Sequence, residues 1–206
     1  CSFEIKFAQV SEEKVMEKNS LFRFAGWSAY VSAAATILGA VTLVIFFSVG
    51  DPYGKINDVS SVIIGLTAML ILFALYQIHR TSAPMVSLIA FLIGALAMLV
   101  AAVLQAWLVL SGTNFGTIVT LMFGVFGASL ATFNWLAYSN ETLPRGLAWT
   151  GIAAGIGYVL VTAGFIHGVS DHLLTYIGGA LAIIAYPVWA FWLGRIWLRN
   201  TKGETQ

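Results

Sequence analysis

All nineteen charged residues of this chain, ten Lys and Arg and nine Asp and Glu, lie outside five uncharged runs: 24–50, 59–79, 81–140, 146–170 and 173–194. A hydrocarbon core about 30 Å thick needs roughly 20 apolar residues for one helical crossing. Four of the runs are long enough for one crossing each, and 81–140 is long enough for two. The pattern predicts an all-α, polytopic integral membrane protein, a six-transmembrane-helix up-and-down bundle. Helices are expected over 22–49, 58–79, 84–111, 114–139, 145–168 and 172–198. A cytoplasmic segment, 1–21, precedes the bundle of 22–198, and a short tail, 199–206, follows it. Only 9% of the residues are charged and 59% are hydrophobic, far from the roughly 25% charge of soluble domains.

The charges also carry orientation. An even number of spans puts both termini on one side, together with Lys6, Lys14, Lys18, Arg23, Arg80, Arg145, Arg195, Arg199 and Lys202, while the other side holds only Lys55. Lys and Arg concentrate on the cytoplasmic face, so both termini are expected in the cytoplasm. Short links between spans make sequential helices antiparallel neighbours. Asp51-Pro52-Tyr53-Gly54 has the composition of a tight turn, with Pro presetting φ and Gly54 accepting positive φ. Ser11-Glu12-Glu13 opens a helical segment ahead of the first span, with an N-cap residue and acids in its first turn.

Cys1 is the single cysteine, which leaves no internal disulfide and no cysteine-based metal cluster. Cys1-Ser2 is also how a mature bacterial lipoprotein begins, which would place the N-terminus outside. The charge bias places it inside, and a trimmed N-terminus is the expected reading. The first span then acts as its own targeting signal.

Polar residues at membrane depth are costly and therefore informative. Gln105 falls in the outer part of the third span, Asn134 and Trp135 in the inner third of the fourth. Tyr158 and Thr162 share a face of the fifth, and Tyr186 and Trp189 lie in the sixth. These groups have two readings. In one, Gln105 and Asn134 hydrogen-bond neighbouring helices. In the other, they bound a small-molecule or lipid pocket together with the tryptophans, Trp107 included. His167, Asp171 and His172, with Asp51 and Asp58, are weak candidates for an outer-surface metal site. Ligation needs several convergent groups, and the spacing of the histidines does not put both on one helix face, so a solvated loop edge is the plainer expectation.

Several function classes lose their chemistry. His79 lies at one membrane face and the other two histidines at the opposite one, so no pair brackets a haem. No mid-membrane lysine is present for retinal, and no Fe–S ligand set exists. Intramembrane carboxylates of the kind proton pumps and ion-coupled carriers use are missing. No cofactor is expected beyond bound lipid, and the scattered positive charges give no nucleic-acid surface.

Small residues recur where helices would touch: Gly151, Gly155 and Gly157 in the fifth span, Gly124, Gly127 and Ala128 in the fourth, Gly178, Gly179 and Ala180 in the sixth. Pro187 removes a backbone donor and is expected to kink the sixth span. The aromatics beyond it are expected to form an interfacial belt, with Arg195 and Arg199 reaching headgroups. A last span with Tyr186-Pro187-Val188-Trp189 followed by Trp192-Leu193-Gly194-Arg195, closing a six-span chain, resembles a family of bacterial six-transmembrane-helix proteins of unknown function. The resemblance implies a bacterial source and carries no activity to individual residues.

Three functional readings follow. The first is a non-catalytic protein of the bacterial inner membrane, an accessory or structural subunit whose partners are the bilayer and other membrane subunits or a second copy of itself. The second is a transporter or receptor for a small neutral or apolar molecule. Pro187 has no counterpart in the third span, which counts against the paired broken helices of many transporters. The third is a lipid-modifying enzyme at the interface, with His167, Asp171 and His172 as its only candidates.

Overall fold

Backbone polar groups find no water in a bilayer, so an apolar span must satisfy them within itself, and the helix is the single-segment solution. The computed structural model describes the backbone of residues 2–168 and 172–203 and the side chains of 19–167 and 172–201. Its elements are α1 (Ser2–Val49), α2 (Tyr53–His79), α3 (Pro84–Ser111), α4 (Gly116–Ser139), α5 (Arg145–Gly168) and α6 (Leu173–Gly203). Each contains a stretch long and apolar enough to cross a membrane, the first over Asn19–Val49. The molecule is an all-helical six-helix bundle of membrane-spanning type.

Two helices extend past the uncharged runs. α1 is continuous from Ser2, so the segment ahead of the first span and the span itself are one helix. α2 begins at Tyr53 and takes Lys55, Asn57 and Asp58 into its first turns. Its 27 residues reach about 40 Å at 1.5 Å per residue, more than the hydrocarbon thickness, so a charged first turn fits in the headgroup layer. The turn before it is tighter than the sequence suggested. Gly50 takes the positive φ (85°) and donates its N–H to the Phe46 carbonyl (2.9 Å), while Gly54 lies inside α2 against the Phe46 ring. Gly112 ends α3 in the same left-handed way, at φ 74°, a conformation glycine adopts without a Cβ penalty. Pro84 opens α3 in its first turn, where a missing N–H costs nothing.

Each helix packs on its sequence neighbours, and α6 returns to close on α1, so the six make a ring. α2 also touches α4 across it, and α3 touches only these two. The ring is therefore pinched, with α3 at an outer corner. Leu72, Leu75, Phe126, Leu130, Phe133, Tyr186 and Trp189 fill the interior and are fully or almost fully buried. The loops after α2 and α4 lie at one end, tied by the Asn140 amide donating to the Ser82 hydroxyl (3.1 Å).

The seams of α4 with α5 and of α5 with α6 each include a place where backbone meets backbone. A methyl added to Gly127 would lie 2.6 Å from the Gly155 carbonyl oxygen, and one on Gly178 would lie 2.6 Å from that of Gly157. Gly179, one residue on, faces open space.

α6 continues unbroken through Pro187, and its aromatic segment divides by helical period. Tyr186, Trp189, Leu193 and Trp197 are buried, whereas Phe191 and Trp192 face outward. The expected belt is thus only half a belt, because residues spaced three and four apart share the face turned to the bundle.

Candidate functional site

Hydroxyl groups in an apolar helix have a ready acceptor in the carbonyl one turn back, and most of those in this bundle use it. Thr36 donates to the Ser32 carbonyl, Thr67 to Ile63, Thr132 to Ala128 and Thr150 to Gly146, at 2.7–2.9 Å. The polar groups that reach between helices are therefore the selective ones.

Three such links meet around α6 and α4. The Trp189 indole N–H donates to Asn134 Oδ1 at 2.8 Å, joining α6 to α4. The Asn134 amide also donates to the Leu130 carbonyl of its own helix at 2.9 Å. Tyr186 Oη and Ser32 Oγ share a hydrogen bond of 2.7 Å, joining α6 to α1. Thr162 of α5 donates to the Thr120 carbonyl of α4 at 2.8 Å. Asn134, Tyr186, Trp189 and Ser32 have no exposed surface at all. Rings complete the layer: Tyr158 lies edge-on to Tyr186 (5.7 Å between centroids) and to Phe126 (5.6 Å), and stacks on Phe123 (5.7 Å). Gly151 presses on the Asn134 amide so closely that a Cβ there would collide with it.

Of the residues singled out from sequence, the structure brings together Asn134, Tyr158, Tyr186 and Trp189, with Thr162 one turn further along α5. Three others are elsewhere. Trp135 follows Asn134 but points outward and is 56% exposed. Gln105 is part-buried on α3, a helix that reaches neither α5 nor α6. Trp107 also faces outward. His167 and His172 face one another with ring centroids 6.3 Å apart, and His172 Nδ1 accepts the Leu174 N–H (3.2 Å). Asp171 lies outside the described residues, and among those described no three metal-binding side chains group together.

Two features of the interior were not read from sequence. Ser32 belongs to a stripe of Ser28, Ser32 and Thr36, all buried on one face of α1; their spacing of four was the available signal. His79, in the last turn of α2, is fully buried, its ring 6.1 Å from that of Phe133. Neither ring nitrogen has a hydrogen-bond partner among the described residues. Its histidine identity gave no hint of this, because burial at a helix end depends on what packs over it.

Comparison of the chain with protein-family models, with curated proteins and with solved structures finds no match. The site must be read from its own chemistry. Its groups are an amide, an indole, two phenols and hydroxyls, uncharged at neutral pH and bonded mostly to one another. That arrangement pins helices in register.

Proposed function

We propose that this chain is a non-catalytic integral membrane protein that acts through association, as an accessory or structural subunit or partner in a membrane complex. The observation that carries the reading is the pairing of interior polar groups: Asn134 with Trp189, Tyr186 with Ser32, and Thr162 with Thr120. A bundle that spends these bonds internally directs its function to its outer surface. The proposal places the chain in a bacterial inner membrane with both termini cytoplasmic, an orientation that the bias of Lys and Arg toward one side favours.

The test is purification of the full chain, tagged at either end, under conditions that preserve native contacts. Recovery of the same larger assembly in constant stoichiometry with both tags is the expected result. A monodisperse monomer carrying a bound small molecule would overturn the proposal. A reporter fused after Gln206 that is active only outside the cytoplasm would reverse the orientation.

A carrier or receptor for a small neutral or apolar molecule is the second reading. In its favour, Pro187 cannot donate to the Ile183 carbonyl and sits between Tyr186 and Trp189 in the polar layer. The missing backbone hydrogen bond supplies a place for α6 to flex.

A further inference from the structure

Beyond the question of protein partners, and independent of it, one part of the surface has the composition of a binding site. On α1, Arg23, Trp27 and Tyr30 follow one another at helical spacing, and on α6 Phe191, Arg195 and Arg199 do the same. The two stripes border a recess of about 610 Å³ open at the bundle surface. They converge because α1 and α6 touch nearby through glycines: a methyl on Gly194 would lie 2.8 Å from the Gly26 carbonyl oxygen. Arg23 ends the charged segment before the first uncharged run and Arg195 ends the last run, so both sit where hydrocarbon gives way to headgroups.

Among the described residues, none of the three guanidiniums has an ion-pair partner. The one ion pair among the described residues joins Arg145 to Glu141 on the α4–α5 loop. The described side chains of α1 and α6 include no carboxylate. Arginine matches phosphate geometry with its planar fork of donors. Beside the charges lie exposed rings, Trp27 at 59% and Phe191 at 55%, with Tyr30 4.9 Å from Phe191 between centroids. A soluble anion would use the arginines and leave these rings idle. A lipid uses both, and basic pockets between transmembrane helices hold anionic headgroups.

We propose that the α1–α6 recess binds an anionic phospholipid, its phosphate among Arg23, Arg195 and Arg199 and its glycerol and acyl carbons against Trp27, Tyr30 and Phe191. This inference rests only on the chain being membrane-embedded. It would survive failure of the accessory-subunit reading.

The experiment is native mass spectrometry of the full detergent-solubilised chain titrated with cardiolipin, phosphatidylcholine or inorganic pyrophosphate. Cardiolipin is expected to bind selectively and to weaken as ionic strength rises. Each of Arg23→Gln, Arg195→Gln and Arg199→Gln should weaken it about fivefold, and the triple variant about a hundredfold, from roughly 1 kcal/mol per arginine near an anionic surface. Arg145→Gln should leave it unchanged. Equal binding of phosphatidylcholine, undiminished cardiolipin binding by the triple variant, or pyrophosphate displacing cardiolipin at equal concentration would each overturn the proposal. If the triple variant does not fold, the salt dependence of the unaltered chain decides: binding indifferent to salt also overturns it.

Discussion

α6 has two different neighbours. Toward α5 its backbone comes directly against another backbone, with Gly178 against Gly157. Toward α1 it begins the same way, at Gly194 and Gly26, and then opens into a recess bordered by arginines and aromatic rings. The first seam is closed because small residues let dispersion contacts accumulate where lipid offers no hydrophobic drive. The second is open where long side chains, Arg23, Arg195 and Arg199 with Trp27 and Phe191, replace the glycines along its border. One helix thus separates a part of the molecule built to hold together from a part suited to contact something else.

The contrast can be broken most forcefully at the closed seam. Gly178→Val places carbon where the Gly157 carbonyl stands, and an overpacked contact of this kind costs about 3 kcal/mol or prevents folding. Thermal unfolding in detergent should show a large drop or no folded protein. An unchanged transition would mean that the seam is not tight.

Next in size is the polar layer behind it. Trp189→Phe leaves the buried Asn134 carbonyl oxygen without its interhelical donor, with an expected loss of about 1–2 kcal/mol. Paired with Asn134→Ala, it should show a coupling of about 1 kcal/mol in a double-mutant cycle. Additive effects would show that the two side chains do not depend on each other.

His79→Leu should go the other way. It replaces a buried ring whose nitrogens have no partner among the described residues with an apolar side chain, and removing an unsatisfied polar group should stabilise by about 1 kcal/mol. Destabilisation would reveal a bond to the imidazole. Ser32→Ala should cost about 0.6 kcal/mol, the usual value for one interhelical hydrogen bond in a membrane protein. Smallest of all is Glu141→Gln on the exposed loop, where breaking the pair with Arg145 should leave the melting temperature unchanged.

How much of this was legible beforehand differs from residue to residue. The six spans were, because charge marks where a helix leaves hydrocarbon. The close approach of the fourth, fifth and sixth helices was signalled by Gly127, Gly155 and Gly178. The facing of the aromatics was not: Trp189 and Trp135 both looked like possible pocket walls or anchors, yet one is fully buried and the other 56% exposed. In a soluble helix, polarity tells the outer face from the inner. In this one both faces are apolar, since lipid is as apolar as a core, and that distinction disappears. For the same reason polarity alone does not separate Gln105 from Asn134; what separates them is that α3 lies outside the reach of α5 and α6.

Sequence by itself determined that the chain forms apolar helices of membrane-spanning length, how many there are, and where small residues allow backbones to meet. Those follow from local facts: the cost of burying charge, the need to satisfy each peptide group, and the absence of a Cβ. Tertiary structure decided that the ring closes between first and last helices, that Ser32 meets Tyr186 across 154 positions of chain, and that Arg23 joins Arg195 and Arg199 around one recess. These depend on which helix lies beside which, a long-range arrangement that no hydropathy pattern encodes.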